Sequence, residues 1–194
     1  MSFKLIVITP EENHPNEIKL ITLLFEGGLQ LLHVRKPGVS ENELRGYLGQ
    51  IPKKFYKKIV IHSHYKLAKE FNLKGIHLTE KARKSKQIDS KSKIVSTSFH
   101  TTAAILKSRR KYEYVFLSPV FDSISKKGYK GSFEIEDLKL LLKKRKNVIA
   151  LGGINAKNIQ AVKQVGFFGA ASIGAVWENK NPIKSYKELV LKIK

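Results

Sequence analysis

A compact closed (β/α)8 barrel is the fold this sequence predicts, and three observations predict it. Eight short apolar, β-branched runs are spaced along the 194 residues. Stretches with apolar residues three or four apart separate them, which is the helical period. The runs themselves are apolar on both sides, so the sheet they build is covered on both faces, as in parallel βα units and unlike hairpins. An open doubly wound sheet would use the same alternation. A barrel of this length is short, since about 250 residues is typical, and its loops must be tight.

The elements follow in order. Leu5 to Thr9 is the first run; it sits in MSFKLIVITPEEN, where one lysine and a short apolar run meet acids, so it reads as a strand and not as a signal peptide. Ile18, Ile21 and Leu24 give a helix from Asn16 to Phe25, and Leu29 to Val34 is the second run. Ser40 before Glu41 and Glu43 starts a helix ending near Leu48. Lys58 to His62 and Gly75 to Leu78 are runs three and four, with a helix from Tyr65 to Phe71 between them. Lys81 to Ser92 is polar and poorly periodic, so the fourth helix is short or irregular. Ile94 to Ser98, Tyr114 to Leu117, Val148 to Leu151 and Ala170 to Ile173 are the remaining runs. Helical patterns over Thr101 to Ser108, Glu134 to Leu142, Ala156 to Val165 and Ile183 to Ile193 follow them, and Asn155 is placed to open the stretch after Gly153. No Pro/Gly/Ser-rich linker divides the chain, so residues 1–194 are read as a single domain.

Composition excludes several classes of function. The absence of cysteine rules out disulfides, thiolate nucleophiles and cysteine-bound metals. No apolar run approaches the roughly 18 residues of a membrane span, and a cytoplasmic location is expected. Thirty-seven Lys+Arg against 16 Asp+Glu leave a net charge of +21, which suits nucleic acid in principle. Only six of the 37 are arginine, however, and the lysines are spread along presumed helix faces. A groove reader concentrates arginine and interleaves aromatics, so the surface reads as a solvated cationic one that draws in small anions.

In a barrel, ligands meet the loops after the C-terminal strand ends. His33, His62, His64, His77 and His100 fall at or just past the ends of runs two to five, and only His14 lies elsewhere. They are expected to form a titratable rim of hydrogen-bonding or acid–base groups. His62 and His64 share a side if the strand continues, but Glu80 and Asp122 are the only acids placed near that rim, so no metal site is expected. Ala150 to Asn155 ends a strand with Gly152 and Gly153 before a helix, and Ser172-Ile173-Gly174-Ala175 ends the next, a pattern that suits phosphate on backbone N–H groups. The stretch 118–128, SPVFDSISKKG, reads as a cationic lid. Arg35 points into the same opening if the alternation from Leu31 holds, and its fork suits paired phosphate oxygens.

These residues carry a family resemblance. HVRKPG at 33–38, GIHL at 75–78, STSFHT at 96–101, SPVFDSISKKG at 118–128, ALGGINAKN at 150–158 and GAASIGAV at 169–176 resemble, in order and spacing, thiamine phosphate synthase and its thiazole tautomerase relatives. The resemblance covers nearly the whole chain. It implies a transferase of thiamine biosynthesis that joins hydroxymethylpyrimidine pyrophosphate to a thiazole phosphate with release of pyrophosphate. Arg35, Ser98 and Lys126 would hold the pyrimidine pyrophosphate, with His33 where the family has glutamine and His62 where it has asparagine. Ser123 and Ser125 would replace two threonines at the thiazole phosphate, and Gly153, Ile173 and Gly174 would offer it backbone N–H groups. Ser98, Lys126, His77 and His100 are the expected catalytic residues. The two magnesium-binding aspartates of the synthase pattern are here Ser63 and Ala82, so Mg2+ is expected only as a complex with the substrate pyrophosphate. The tautomerase histidine after the sixth strand is Pro119. A thiazole phosphate isomerase with His77 or His100 as a relocated base, and a non-catalytic binder of thiamine precursors, are the alternatives. Expected partners are phosphorylated thiazole and pyrimidine molecules and a second copy in a homodimer, with neither membrane nor nucleic acid involved.

Overall fold

A computed structural model of the chain describes residues 3–84, 93–121 and 133–194. Eight strands form the ring: β1 (Lys4–Ile8), β2 (Leu31–Val34), β3 (Ile59–Ile61), β4 (Gly75–Leu78), β5 (Ile94–Phe99), β6 (Tyr114–Leu117), β7 (Val148–Leu151) and β8 (Gly169–Ser172). Each pairs in parallel with the next, and β8 pairs with β1, so the sheet closes. Closure removes every strand edge, and it selects the barrel over the open sheet.

Helices α1 (Glu17–Glu26), α2 (Glu41–Gly49), α3 (Lys66–Glu70), α4 (Glu80–Lys84), α5 (Thr102–Lys107), α6 (Ile135–Lys144), α7 (Ile159–Val165), α8 (Gly174–Trp177) and α9 (Pro182–Ile193) follow the strands. Their starts are chemically marked. Ser40 caps α2 in a reciprocal box: the Glu43 N–H donates to Ser40 Oγ at 3.3 Å and the Ser40 N–H to Glu43 Oε2 at 2.7 Å. Asn181 caps α9, with Pro182 in its first turn.

Two apolar layers result from the period-2 alternation of the strands. Ile6, Ile8, Leu31, Val60, Tyr114, Phe116 and Ile149 fill the inside of the ring. Outward residues such as Val7, Leu32, Ile61 and Leu78 pack under the helices with Ile21, Leu24, Leu44 and Leu141. Glycines permit two close approaches. A Cβ on Gly169 would collide with the Lys4 carbonyl oxygen across the β8–β1 seam. Gly75, with φ 154, leaves room for Val95, whose side chain would lie 2.6 Å from a Cβ there, at the register shift between β4 and β5.

The sequence reading missed two short elements. Lys53–Lys58 forms a 3-10 turn leading into β3, and α8 follows β8 within two residues. Trp177 of α8 donates its indole N–H to the Ile8 carbonyl at 2.8 Å, tying the last βα unit to the first.

Candidate active site

Toward the C-terminal strand ends the barrel interior turns polar. Inward alternation brings His33 after Leu31, His62 after Val60 and His77 on β4 to one level, and all three are buried. His33 Nδ1 lies 2.8 Å from His62 Nε2, and His33 Nε2 lies 2.6 Å from the Tyr114 hydroxyl. The His62 and His77 rings stack with centroids 4.1 Å apart. His77 sits between two hydroxyls, Ser96 Oγ at 2.8 Å from Nδ1 and Ser98 Oγ at 3.1 Å from Nε2. Phe116 packs against both His33 and His77.

Burial governs the charge of this floor. It pushes His33 and His62 well below the usual imidazole range, with the neighbouring His77 as the next cause. For His77, burial and then the Arg35 and Arg83 cations bring the value down to about 3. At neutral pH the three rings are therefore uncharged, each with one N–H and one lone pair. Burial also holds the Tyr114 hydroxyl in its protonated form. The floor is aromatic and neutral, with the His33 ring edge-on to the stacked His62 and His77 rings.

Cations stand above it. The Arg35 backbone is clamped to β1, its N–H donating to Thr9 Oγ1 at 2.9 Å while the Thr9 hydroxyl donates back to the Arg35 carbonyl at 3.2 Å. Its half-exposed guanidinium pairs with Glu11. Lys36 turns the other way into a buried cluster, donating to Glu17 Oε2 at 2.8 Å and to the Glu12 carbonyl at 2.9 Å. Arg83 on α4 donates to the Ser98 carbonyl at 3.2 Å and lies 4.1 Å over the Phe99 ring. Ser98 is thus between the Arg83 contact and the His77 ring.

Across the mouth, Gly152 and Gly153 take φ of 96° and 63°. A Cβ on Gly152 would stand 2.8 Å from Pro119 Cα, so glycine is needed for this turn to rest on the loop after β6. The side-chain amides of Asn155 and Asn158 donate to the Gly153 carbonyl at 3.1 and 2.9 Å. Among the described residues, the N–H groups of Gly153 and Gly174 have no acceptor. Ile173, half-buried, precedes α8. The Glu178 carboxylate lies against Gly174, 2.7 Å from where a Cβ would stand. An anion bound there would meet the backbone donors on one side and this carboxylate on the other.

Several expectations need correction. His100 does not join the other three: it is exposed, with Nδ1 2.8 Å from the Ser118 carbonyl. His64 does not share a face with His62, because β3 stops at Ile61 and His64 takes φ 46°, sending Nε2 to the Val39 carbonyl at 2.8 Å. The helix after β7 starts at Ile159; Asn155 caps a turn instead, its Oδ1 accepting from Lys157 N–H at 2.9 Å. Glu80 is bonded to Lys84, and Glu11 is a rim acid that the reading overlooked. Ser123, Ser125, Lys126 and Asp122 lie outside the described residues. Tyr114, Ser96 and Arg83 were not singled out. Tyr114 had a detectable signal: it alternates with Phe116 on an inward face, and a buried phenol needs a partner.

With this geometry, comparison with known proteins is decisive. A sequence model described as thiamine monophosphate synthase matches residues 5–176. The chain belongs to the thiamine monophosphate synthase family. Relatives include the thiamine-phosphate synthase of Clostridium tetani, 30% identical over 84% of this chain and 81% of its own. That of Prochlorococcus marinus is 28% identical over 100% of this chain, which spans 57% of that longer protein. The crystal structure of thiamine phosphate pyrophosphorylase from Bacteroides thetaiotaomicron superposes with a TM-score of 0.85 at 34% identity, covering 98% of this chain and 97% of the other. These relatives are named as thiamine-phosphate synthases, transferases of thiamine biosynthesis. No helix among the described residues is long and apolar enough to cross a membrane.

Magnesium, which the family implies, does not fit the donors that the described residues offer. Ser63 and Ala82 are half-buried and supply no carboxylate, Glu80 is engaged by Lys84 and Glu11 by Arg35. A hard divalent cation needs several anionic or carbonyl oxygens, and the described residues do not offer them together.

Proposed function

We propose that this chain joins hydroxymethylpyrimidine pyrophosphate to a thiazole phosphate. The carbon–oxygen bond to pyrophosphate breaks and the leaving group takes the electron pair. The thiazole nitrogen lone pair then forms the new bond to the methylene carbon, giving thiamine phosphate and pyrophosphate. The observation that carries this reading is the pairing of surfaces at one mouth: a neutral floor of His33, His62 and His77, with Arg35, Ser98 and Arg83 beside it and, opposite, the N–H groups of Gly153 and Gly174, which have no acceptor among the described residues.

Each surface suits one part of the chemistry. A neutral aromatic floor can pack against a heterocycle without adding like charge as the methylene becomes cationic. Guanidinium groups stabilise the departing pyrophosphate, whose charge grows in the transition state. By the family resemblance Lys126 adds a further cation there, and Ser123 and Ser125 join Gly153, Ile173 and Gly174 at the thiazole phosphate. His77 orients Ser98 through Nε2. Magnesium enters, in this reading, only on the pyrophosphate of the substrate. The reaction is assigned to the cytoplasm and to a homodimer, with sedimentation velocity as the check on assembly.

Calorimetry with each substrate tests the reading. Pyrimidine pyrophosphate should bind the parent and lose affinity by about 10- to 150-fold in Arg35→Ala, the loss of a charge-assisted hydrogen bond worth roughly 1.5–3 kcal/mol. Thiazole phosphate should bind both proteins alike. Equal pyrophosphate affinity in parent and variant would remove Arg35 from the site, and no binding of either substrate would overturn the reading.

A further inference from the structure

We infer that His33, His62 and His77 form a binding site for one zinc-class divalent cation. The three buried imidazoles come from three consecutive strands, and one nitrogen of each lies within 4.8 Å of the others. Three histidines with one position left open are a donor set of catalytic zinc, and imidazole suits zinc, cobalt and nickel where it does not suit magnesium. The site goes beyond the proposed reaction, which uses the metal-free, uncharged form of the same three rings, and it does not depend on that reaction, because the side chains can be titrated with metal alone.

The supporting shell is in place for two of the three ligands, His33 and His77. A ligating histidine characteristically presents its second nitrogen to an oxygen, which fixes the tautomer. His33 has the Tyr114 hydroxyl at 2.6 Å, and His77 has Ser96 at 2.8 Å and Ser98 at 3.1 Å, one of which keeps its bond when the other nitrogen turns to metal. The rings are neutral, which is the form that ligates.

Binding requires a small rearrangement. The 2.8 Å between His33 Nδ1 and His62 Nε2 holds one proton. For both atoms to ligate, that proton moves to the other nitrogen of the ring that carries it, His33 Nε2 facing the Tyr114 oxygen or His62 Nδ1, so no net proton need leave. Tetrahedral zinc at about 2.0–2.1 Å from each nitrogen sets the nitrogens about 3.3 Å apart. His33 and His62 therefore spread by about half an ångström, and the stacked His62 and His77 rings rotate until their lone pairs converge. Arg35 and Arg83 face the cluster and oppose a cation, so the fourth position favours an anionic oxygen, hydroxide or a phosphate oxygen.

The experiment uses chelator-treated full-length protein and Zn2+ or Co2+ alone. Expected are one equivalent of bound metal, the intense visible absorption of tetrahedral cobalt, and a melting temperature raised by zinc. His62→Asn and His77→Gln should each abolish the tetrahedral signal. Tyr114→Phe, which keeps all three ligands, should weaken affinity about 10- to 100-fold. Circular dichroism of the metal-free variants separates lost ligands from lost fold; if a histidine variant fails to fold, the Tyr114→Phe result carries the test. Absence of cobalt or zinc uptake by the parent would overturn the site. Uptake unchanged in the variants would assign the metal to His14, His64 or His100 and would overturn it equally. Neither result touches the substrate calorimetry, so the two proposals fail separately.

Discussion

Lys36 gives the prediction most fully specified by the structure. It follows Arg35, yet its side chain is only 2% exposed and its partner Glu17 only 5%. Glu17 accepts from Lys36 Nζ at 2.8 Å, from the His14 N–H at 3.0 Å and from the Tyr47 hydroxyl at 2.5 Å. The cluster fastens the β1–α1 loop, which carries Glu11, to the β2 loop, which carries Arg35. Lys36→Met fills the same space and removes the charge, leaving a buried carboxylate with neutral partners only. Breaking one side of a buried pair costs about 3–5 kcal/mol, because the orphaned ion cannot regain its hydration. At about 2–4 °C per kcal/mol for a chain of this size, the melting temperature should fall by roughly 6–20 °C. The double variant Lys36→Met, Glu17→Gln removes the orphan and should recover most of the loss. Urea melts of parent, both single variants and the double variant measure this as a cycle. A Lys36→Met protein within about 1 kcal/mol of the parent, or singles that simply add, would refute the argument, since pairs in contact should couple.

Three further outcomes follow from particular contacts. The folded-state values of His33, His62 and His77 are lowered, so below about pH 6.5 the unfolded chain takes up protons that the metal-free folded chain refuses. Stability should be full above that pH and fall as pH drops toward 3, with His77 alone contributing about 2 kcal/mol by pH 5; a urea midpoint equal at pH 7 and pH 5 would contradict it. Gly169→Ala should destabilise by about 1–3 kcal/mol or more, since its Cβ meets the Lys4 backbone and stands 2.9 Å from Ile149 Cδ1, and an unchanged melt would show that the seam can open. Ser63→Asp with Ala82→Asp should create magnesium affinity absent from the parent, measured by calorimetry without substrate, and equal heats in both proteins would place magnesium elsewhere.

Much of the fold was legible because the strands are apolar on both faces and the helices keep their period. The eight runs needed only shifts of one or two residues at their ends, as at Lys4 and Gly169. Closure of the ring was not readable from periodicity, which an open sheet shares; it depends on long-range pairing of β1 with β8. At the site, position at or just past the C-terminal strand ends was enough to bring His33, His62 and His77 to one rim. It failed at His64 and His100, where the strand had ended and local backbone geometry decided the direction of the ring. Arg83 and Glu11 reach the site from elements far apart in sequence, and no local pattern announces such a meeting. The buried Lys36 was hidden by composition, one lysine among many on a chain of net charge +21.

The most direct test of the central claim is a single-turnover reaction of the parent with hydroxymethylpyrimidine pyrophosphate and thiazole phosphate, followed by mass spectrometry. The proposed function predicts thiamine phosphate and pyrophosphate in equal amounts, with the yield per turnover lowered in Arg35→Ala and Ser98→Ala. Tight binding of both substrates with no thiamine phosphate formed, with or without added magnesium or zinc, would contradict it.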